Sequence, residues 1–498
     1  MRGRVGRSPD VAAHERDTAG RCKLLFVTSE IADFLKVGGL GEVSAGLPRA
    51  LRRISDARVL LPGYRAVLAA NPDMRIVAAL PGVAGIPPCE IGEIMTQDGL
   101  TLHIVVAGDL FDRPGNAYLD DHANPWDDND VRFARLAMAA VELARGVPAL
   151  GWKPDVLHLN DWPGALAAGY LDWQRVRVPS ILTIHNLAYQ GLYGCDRLNR
   201  LAIPAEAFAM DGVEFHGKIS FLKAGIFYAS QITTVSATYA KEITTPEFGC
   251  GLDGLLRVRS GQGRLTGILN GIDESWDPGT DPTLPHPFDS VNWRGKEANA
   301  QHLRDAFGLA VSRGPLFAVV SRLVHQKGLD LTMAAIESIV RDGGQLVVTG
   351  EGEPEVENAL LATAARHPQS IAVKIGYEEP TARRIFAGSD FLLMPSRFEP
   401  CGLSQMYAQR FGSLPIAHNT GGLGDTIEDG ATGFLFSGAT AETFAQAIHR
   451  AKSVFDRKDQ FEAMRRRAMA RPSGWGEAAK SYMDVYRRAL TRDMRVAA

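Results

Sequence analysis

Short apolar runs, each followed by a glycine-rich turn and a helix-forming stretch, recur along this 498-residue sequence and constrain its fold more than any other feature. The first run covers residues 22–29 and leads through a turn at 37–41 into a helical stretch over 42–53. Strands that alternate with helices favour a parallel sheet covered on both faces. The sequence therefore predicts the α/β class.

The pattern restarts after Asn270. Residues 277–288 contain four prolines without hydrophobic periodicity and predict a linker. Six strands follow, at 316–321, 345–349, 371–375, 391–394, 414–418 and 433–436. Ligands of such sheets bind beyond the carboxyl ends of the strands, so two paired domains would share one cleft. We therefore expect two α/β domains of similar size.

Composition excludes several other classes of protein. The chain is 45% hydrophobic and 22% charged, as in soluble globular proteins. Its 54 Lys and Arg against 57 Asp and Glu lack the basic excess of a general nucleic-acid-binding protein. No run reaches the roughly 18 apolar residues of a membrane span.

The N-terminus and the cysteines bear on the location of the protein. Residues 1–21 have several arginines but no apolar stretch typical of a secretory signal, and we expect a disordered tail there. The five cysteines are widely spaced and include no C-x-x-C pair, so neither a disulfide framework nor a zinc site is indicated. These features favour a reduced, cytoplasmic protein.

Two glycine-containing turns combine with cations. In Lys36-Val-Gly-Gly-Leu-Gly41, adjacent glycines before a helix let backbone N–H groups approach an anion, and Lys36 adds charge. A tight connection with a solvated lysine is equally compatible with this turn. Arg322 and Lys327 flank a turn after a strand and suit a diphosphate, although charged residues are also common in ordinary exposed turns.

Two further turns follow later strands. Glu399 lies on a Pro/Gly loop that could direct its carboxylate into a cleft, or it could interact with the dipole of the following helix. The N–H groups of residues 402–404 would open that helix toward an anion. Thr420-Gly421-Gly422 repeats the arrangement one unit later. Each turn alone is a weak signal, but four anion-compatible turns are spread over both halves.

Polar residues at strand ends provide further candidates. Asp161 and His185 each follow a strand in the first half and could face the cleft, although a single histidine is more often structural. Residues 128–130 have the Asp-x-Asp form that some sugar-nucleotide enzymes use to hold a metal. They also precede a helix, where Asp and Asn are preferred caps, and we favour the capping interpretation.

Taken in order, these motifs resemble those of the bacterial glycogen synthases and plant starch synthases. The resemblance spans about residues 22–490 and rests on KVGGLGEV, NDW, HNLAYQG, EFHGKISFLKAGIFYASQITTVSATYAKEI, LNGID, SRLVHQKGLD, PSRFEPCGLSQMYA and NTGGLGDTI. It implies a GT-B architecture, in which two Rossmann-like domains with parallel sheets face each other across a deep cleft. It implies an acceptor-side domain over 22–270, a nucleotide-sugar domain over 271–474, and a C-terminal helix within 475–498 that crosses back to the first domain.

The resemblance also implies roles for individual residues. Glu399 and His185 match the catalytic carboxylate and histidine beside the transferred glucose. Arg322 and Lys327 match the cations that neutralise the diphosphate. The other implied substrate-binding residues are Lys36, Gly39, Asp161, Asn270, Tyr377, Gly402, Leu403, Ser404, Thr420, Gly421 and Gly422.

The implied activity is retaining transfer of glucose from ADP-glucose to the non-reducing 4-hydroxyl end of an α-1,4-glucan such as glycogen, with release of ADP. No cofactor and no essential metal are expected, because cations and helix N-termini can neutralise the leaving diphosphate. Alternatives are a sugar-nucleotide epimerase of the same architecture and an inactive glucan-binding paralogue. Glu42 and Asn160 depart from the commoner family residues, and Tyr407 stands where related transferases have a second glutamate.

Overall fold

The computed structural model describes residues 20–496, and the chain divides into two compact units. The first unit contains the described chain up to Thr234, Glu242–Gly271 and the chain from Trp475 onward. The second contains Val235–Lys241 and Ile272–Gly474. The disordered tail expected over 1–21 lies, apart from its last two residues, outside the described residues.

The strands, in chain order, are β1 Lys23–Val27, β2 Asp56–Pro62, β3 Arg75–Leu80, β4 Cys89–Met95, β5 Thr101–Val106, β6 Val156–Asn160, β7 Ser180–Ile184, β8 Leu192–Gly194, β9 Glu214–Phe215, β10 Lys218–Ser220, β11 Gln231–Thr234, β12 Leu265–Gly267, β13 Leu316–Val320, β14 Gln345–Gly350, β15 Ile371–Ile375, β16 Phe391–Met394, β17 Leu414–His418 and β18 Phe434–Phe436.

The α-helices are α1 Gly39–Arg52, α2 Arg65–Ala70, α3 Gly108–Phe111, α4 Asn129–Arg145, α5 Asp161–Trp173, α6 Phe221–Tyr228, α7 Ala237–Glu242, α8 Asp253–Gly261, α9 Arg294–Ala306, α10 Leu329–Arg341, α11 Pro354–Arg366, α12 Glu379–Gly388, α13 Ser404–Arg410, α14 Gly421–Thr426, α15 Ala441–Phe455, α16 Lys458–Met469 and α17 Trp475–Val496. No helix within these described bounds has both the length and the apolar character that crossing a membrane requires.

The main sheet of the first unit has the strand order β12-β11-β7-β6-β1-β2-β5-β4-β3. Its strands run parallel except β4, which is antiparallel to both β3 and β5, so the expectation of a wholly parallel sheet is wrong at this edge. The links before and after β4 are short, whereas a parallel connection needs a crossover of about a dozen residues. A separate small sheet has the order β8-β10-β9.

The sheet of the second unit has the order β15-β14-β13-β16-β17-β18 and is wholly parallel, which confirms the six predicted strands. Alternate residues of β13 enter different cores: Phe317 and Val319 pack in one, and Leu316 and Val320 in the other. Both faces of the sheet are therefore covered, as the continuous apolar runs of its strands indicated.

The predicted linker over 277–288 is instead an ordered part of the second unit. Asp281 is buried and pairs with Arg383 Nη1 at 2.7 Å, and Phe288 is also buried. Just before this segment, the Trp276 ring stacks on Tyr407 with 3.7 Å between the ring centroids. The proline-containing segment over 277–288 therefore packs on the core of the second unit.

The first-domain boundary predicted over 22–270 also needs a correction. Residues 235–241, at the start of α7, group with the second unit. Both the N–H and the hydroxyl of Thr238 donate to the Asp425 carboxylate, at 2.9 and 2.6 Å. A contact between residues 187 apart in sequence is not encoded in any local pattern.

Candidate active site

A buried carboxylate holds the Lys36 turn of the first unit. Glu30 Oε2 accepts hydrogen bonds from the N–H groups of Val37 and Gly38 at 2.7 and 3.1 Å. Its Oε1 accepts from the Tyr118 hydroxyl at 2.9 Å, and burial raises the pKa of Tyr118 well above its usual value. Glu30 is not among the residues predicted from the sequence motifs, although it lies just beyond the apolar run of β1.

Lys36 and Gly39 lie at the start of α1. The Lys36 ammonium pairs with Glu42 in the first turn of this helix and keeps 29% of its side chain exposed. Gly39 is the exposed first residue of α1, and no side chain caps the helix. The first N–H groups of a helix have no partner inside it, so this turn combines a cation with N–H donors.

Asp161 is held in a strained conformation at the end of β6. It has a φ of +49°, a left-handed value that costs a non-glycine residue about 1–2 kcal/mol. Its Oδ1 accepts from the N–H groups of His185 and Asn186 at 2.7 and 3.4 Å. Burial raises the pKa of Asp161 to about 7. The strained residue therefore ties the end of β6 to the end of β7.

The hydrogen-bond network assigns the tautomer of His185. Asn160 Nδ2 donates to Val27 O at 3.0 Å, so Asn160 Oδ1 is the acceptor for His185 Nε2, 2.9 Å away. His185 thus carries its proton on Nε2 and has an acceptor lone pair on Nδ1. Burial lowers its pKa to about 3. A neutral imidazole in this state can accept a hydrogen bond from a sugar hydroxyl.

Asn270 is a further buried polar residue of the first unit. Its side chain is buried, and among the described residues its Oδ1 has no hydrogen-bond partner. A buried polar atom without a partner costs about 1–3 kcal/mol. A ligand hydroxyl or amino group would remove that cost.

In the second unit, the loops after β13 and β16 contact each other. Gln326 Nε2 donates to Phe398 O at 3.1 Å, and Arg397 N donates to Gln326 O at 2.9 Å. Gly328 has a φ of +67°, and a Cβ there would lie 2.1 Å from Pro395 O. Only glycine allows this approach, which brings Lys327 beside Glu399.

Lys327 and Glu399 form an ion pair with 2.5 Å between Nζ and Oε2. Ser396 Oγ donates to the same carboxylate oxygen at 3.1 Å, and the two charged side chains are only 15% and 8% exposed. The sequence motifs assign the two residues to separate contacts with phosphate and sugar, but the structure joins them. The Glu399 carboxylate is thus held by one side chain of its own loop and one of the loop after β13.

The Thr420–Gly422 turn supports the Glu399 loop. Gly421 has a φ of +46°, and a Cβ there would lie 2.0 Å from Glu399 O. The Gly422 N–H donates to that same carbonyl at 3.0 Å, so it is not directed at an anion. Thr420 is buried. The Gly422 N–H therefore serves packing, while anion binding by Thr420 and Gly421 stays a prediction.

The remaining predicted residues of the second unit also lie beyond strand ends. Arg322 is exposed after β13 and donates to Gln326 Oε1 at 3.3 Å. Tyr377 follows β15 and is 44% exposed. Residues 402–404 enter α13, where Ser404 Oγ donates to Val320 O at 3.2 Å. The structure thus gathers Lys327, Glu399 and the 420–422 turn, with Arg322 on the same loop as Lys327.

The Asp128-Asn129-Asp130 segment is neither a cap nor a candidate metal site. Asp128 binds Arg113 through two contacts of 2.9 and 2.8 Å, and Asp130 lies 3.0 Å from Arg197. No side chain caps α4, so the capping interpretation is wrong. These carboxylates pair with arginines distant in sequence. No cluster of three potential metal ligands occurs in the described part of the chain.

Comparison with known proteins identifies the family. The model described as "Starch synthase catalytic domain" matches residues 23–258, and "Glycosyl transferases group 1" matches 305–467. Glycogen synthase from Pseudomonas putida is 54% identical over 97% of this chain and 92% of its own length. Glycogen synthase 1 from Bradyrhizobium diazoefficiens is 56% identical over 92% of this chain and 99% of its own.

Solved structures agree with this result. The catalytic domain of starch synthase IV from Arabidopsis thaliana, bound to ADP and acarbose, has a TM-score of 0.84 and 31% identity, covering 95% of this chain and all of that one. Sucrose-phosphate synthase from Thermosynechococcus elongatus, with a TM-score of 0.60 and 16% identity over 95% of this chain and all of that one, shares the fold. The predicted GT-B class is confirmed. The chain belongs to the glycogen synthase and starch synthase family of glycosyltransferases.

Proposed function

We propose that this glycosyltransferase transfers glucose from ADP-glucose to the 4-hydroxyl at the non-reducing end of an α-1,4-glucan, with retention at the anomeric carbon. The observation that carries the proposal is the Lys327–Glu399 pair beyond the carboxyl ends of a parallel sheet, with Arg322 on the same loop as Lys327. The family membership supports the substrate class, and ADP bound to the related starch synthase supports the nucleotide.

In this proposal the second unit binds the nucleotide sugar. Arg322 and Lys327 neutralise the diphosphate, whose charge grows as the bond between the anomeric carbon and the phosphate oxygen breaks. The family resemblance also assigns Lys36 of the first unit to binding of the donor. The Lys327 ammonium has three N–H donors. It can therefore donate to a phosphate oxygen while it remains paired with the Glu399 carboxylate.

In the proposal, one charged and two neutral polar residues bind glucosyl groups. The negative charge of Glu399 stabilises the positive charge that develops at the anomeric carbon in an oxocarbenium-like transition state. The neutral His185 and the unpaired Asn270 Oδ1 accept hydrogen bonds from sugar hydroxyls. These acceptors orient the ring without adding a charge.

Retention requires that the new bond form on the face from which the phosphate leaves. In the proposed step, the bond from the anomeric carbon to the phosphate oxygen breaks and a bond to the acceptor O4 forms. The proton of that hydroxyl passes to the departing β-phosphate oxygen, so atoms and charge balance. Glu399 then acts through its charge.

The test measures ADP release and incorporation of labelled glucose with purified protein, ADP-glucose and glycogen. We expect release that depends on glycogen and matches incorporation, with UDP-glucose used less well. Conversion of the sugar nucleotide to an epimer in the absence of glycogen would indicate the epimerase alternative. Glycogen binding without ADP release would indicate the inactive paralogue.

The proposed location is the cytoplasm. The structure places all five cysteines outside any disulfide, as expected in a reducing compartment. Fractionation of cells, followed by an assay for ADP-glucose-dependent incorporation, tests this location directly.

A further inference from the structure

Two rungs of hydrogen-bonded side chains join β6 to β7 in the first unit. His158 and Asn160 are two residues apart on β6, and side chains so spaced share a face of the sheet. His158 Nε2 lies 2.6 Å from Thr183 Oγ1, and Asn160 Oδ1 lies 2.9 Å from His185 Nε2. The inner rung thus stands directly beneath the one that holds the candidate catalytic histidine.

The inner rung continues in both directions. His158 Nδ1 lies 2.7 Å from the Tyr486 hydroxyl of α17, and Thr183 Oγ1 lies 2.6 Å from Thr233 Oγ1 of β11. All four side chains are fully buried. Each group is the partner of the next, and all four are shielded from bulk solvent, so the chain behaves as one unit.

The helix that carries Tyr486 is fastened at its other end to the Lys36 region. Trp475, the first residue of α17, packs on Gly46 of α1, where a Cβ would lie 2.1 Å from the indole Nε1. Tyr482 adds a ring contact to His158, with 5.1 Å between centroids. The C-terminal helix therefore touches α1, which begins at Gly39, and β6, which Asp161 follows.

We propose that Tyr486 is a positioning residue for glucosyl transfer, because its hydroxyl fixes, through His158 and Thr183, the strand ends that carry Asp161 and His185. The inference rests on the proposed function. Loss of the hydroxyl would leave a buried ring nitrogen of His158 without its partner and release the inner rung. Small displacements of groups that orient a substrate are costly to the rate.

The first test compares Tyr486→Phe with a matched control, Tyr170→Phe. Tyr170 is also a fully buried tyrosine of the first unit, and its hydroxyl donates to Leu201 O at 2.5 Å, away from the rungs. At temperatures where both variants are folded, we expect kcat of Tyr486→Phe to fall about tenfold, which is less than the roughly 10²-fold cost of a 1 Å misplacement because the effect passes through two side chains. KM for ADP-glucose should stay nearly constant, because Arg322 and Lys327 belong to the second unit.

A spectroscopic readout separates positioning from stability. The imidazole ¹⁵N resonances of His185 report its tautomer and its bond to Asn160, and we expect them to shift in Tyr486→Phe but not in Tyr170→Phe. Equal kcat in the two folded variants, with unchanged His185 resonances, would overturn the proposal. If the wild-type protein transferred no glucose, the proposed function would fail, while these resonances would still test the geometry.

A second pair of variants tests the same chain if Tyr486→Phe does not fold. Thr183→Val is nearly isosteric but removes the hydroxyl that joins His158 to Thr233, whereas Thr183→Ser keeps it. We expect the valine variant to lose turnover and the serine variant to recover most of it. Equal turnover in both would overturn the proposal.

Discussion

Replacement of Glu399 by Gln tests the proposed mechanism most directly. The change keeps the size of the side chain but removes the charge that Lys327 contacts at 2.5 Å. Ser396 Oγ can still donate to the amide oxygen of the new side chain. The variant therefore isolates the charge from the shape of the loop.

The structure sets the expected magnitude. Loss of an electrostatic contact made in the transition state costs about 10²–10³ in kcat. Lys327, now without its partner, remains available to the diphosphate, so KM for ADP-glucose should stay unchanged or fall. Breaking a buried ion pair costs about 3–5 kcal/mol of stability, and the partial exposure of Lys327 puts the expected loss below that range.

The assay sets the rate of glucose incorporation beside calorimetric binding of ADP-glucose. Asp330→Asn is the matched control, because it removes an exposed carboxylate at the start of α10 that pairs with Arg397 of the Glu399 loop at 2.8 Å. We expect the control to keep wild-type kcat, since exposed pairs contribute about 1 kcal/mol or less. Near-normal kcat in a folded Glu399→Gln protein would refute the role of the charge.

Three further predictions follow from the site. Burial raises the pKa of Asp161 from 3.8 to about 7, so ionisation of this carboxyl destabilises the folded state as the pH rises from 4 to 7. Asp161→Asn should therefore be more stable than wild type at pH 8, by up to about 4 kcal/mol, but not at pH 4. Urea unfolding at the two pH values measures the difference. Gly421→Ala should destabilise the protein by more than about 2 kcal/mol and lower turnover, because the new Cβ would clash with Glu399 O. Gly438→Ala is the control: Gly438 also has a positive φ but faces open space, so its replacement should cost about 1 kcal/mol. Equal losses of stability in urea unfolding would contradict this prediction. Turnover should persist in EDTA, because cations can neutralise the diphosphate; loss that Mg²⁺ restores would contradict it.

Much of the fold could be predicted from the sequence because burial leaves a local mark. Strands of a parallel sheet covered on both faces are continuous apolar runs, and all six strands of the second unit were predicted from such runs. The antiparallel edge was not predicted: β3 does contain an apolar run, residues 76–80, but the strand is largely exposed, so its pattern does not report burial. The proline-rich segment over 277–288 was misjudged because composition alone does not show that Phe288 enters a core.

In the candidate site, too, some features follow from the sequence and others only from the tertiary structure. The sequence by itself determined which residues lie at strand ends and where the glycine-containing turns fall, since both are set by neighbours along the chain. Only the tertiary structure decided that Lys327 and Glu399, 72 residues apart, share one contact, that Glu30 holds the Lys36 turn, and that Tyr486 reaches His158 across 328 residues. The reason is physical: the partner of a buried polar side chain is set by which loops and strands the fold brings together, and no local periodicity records that.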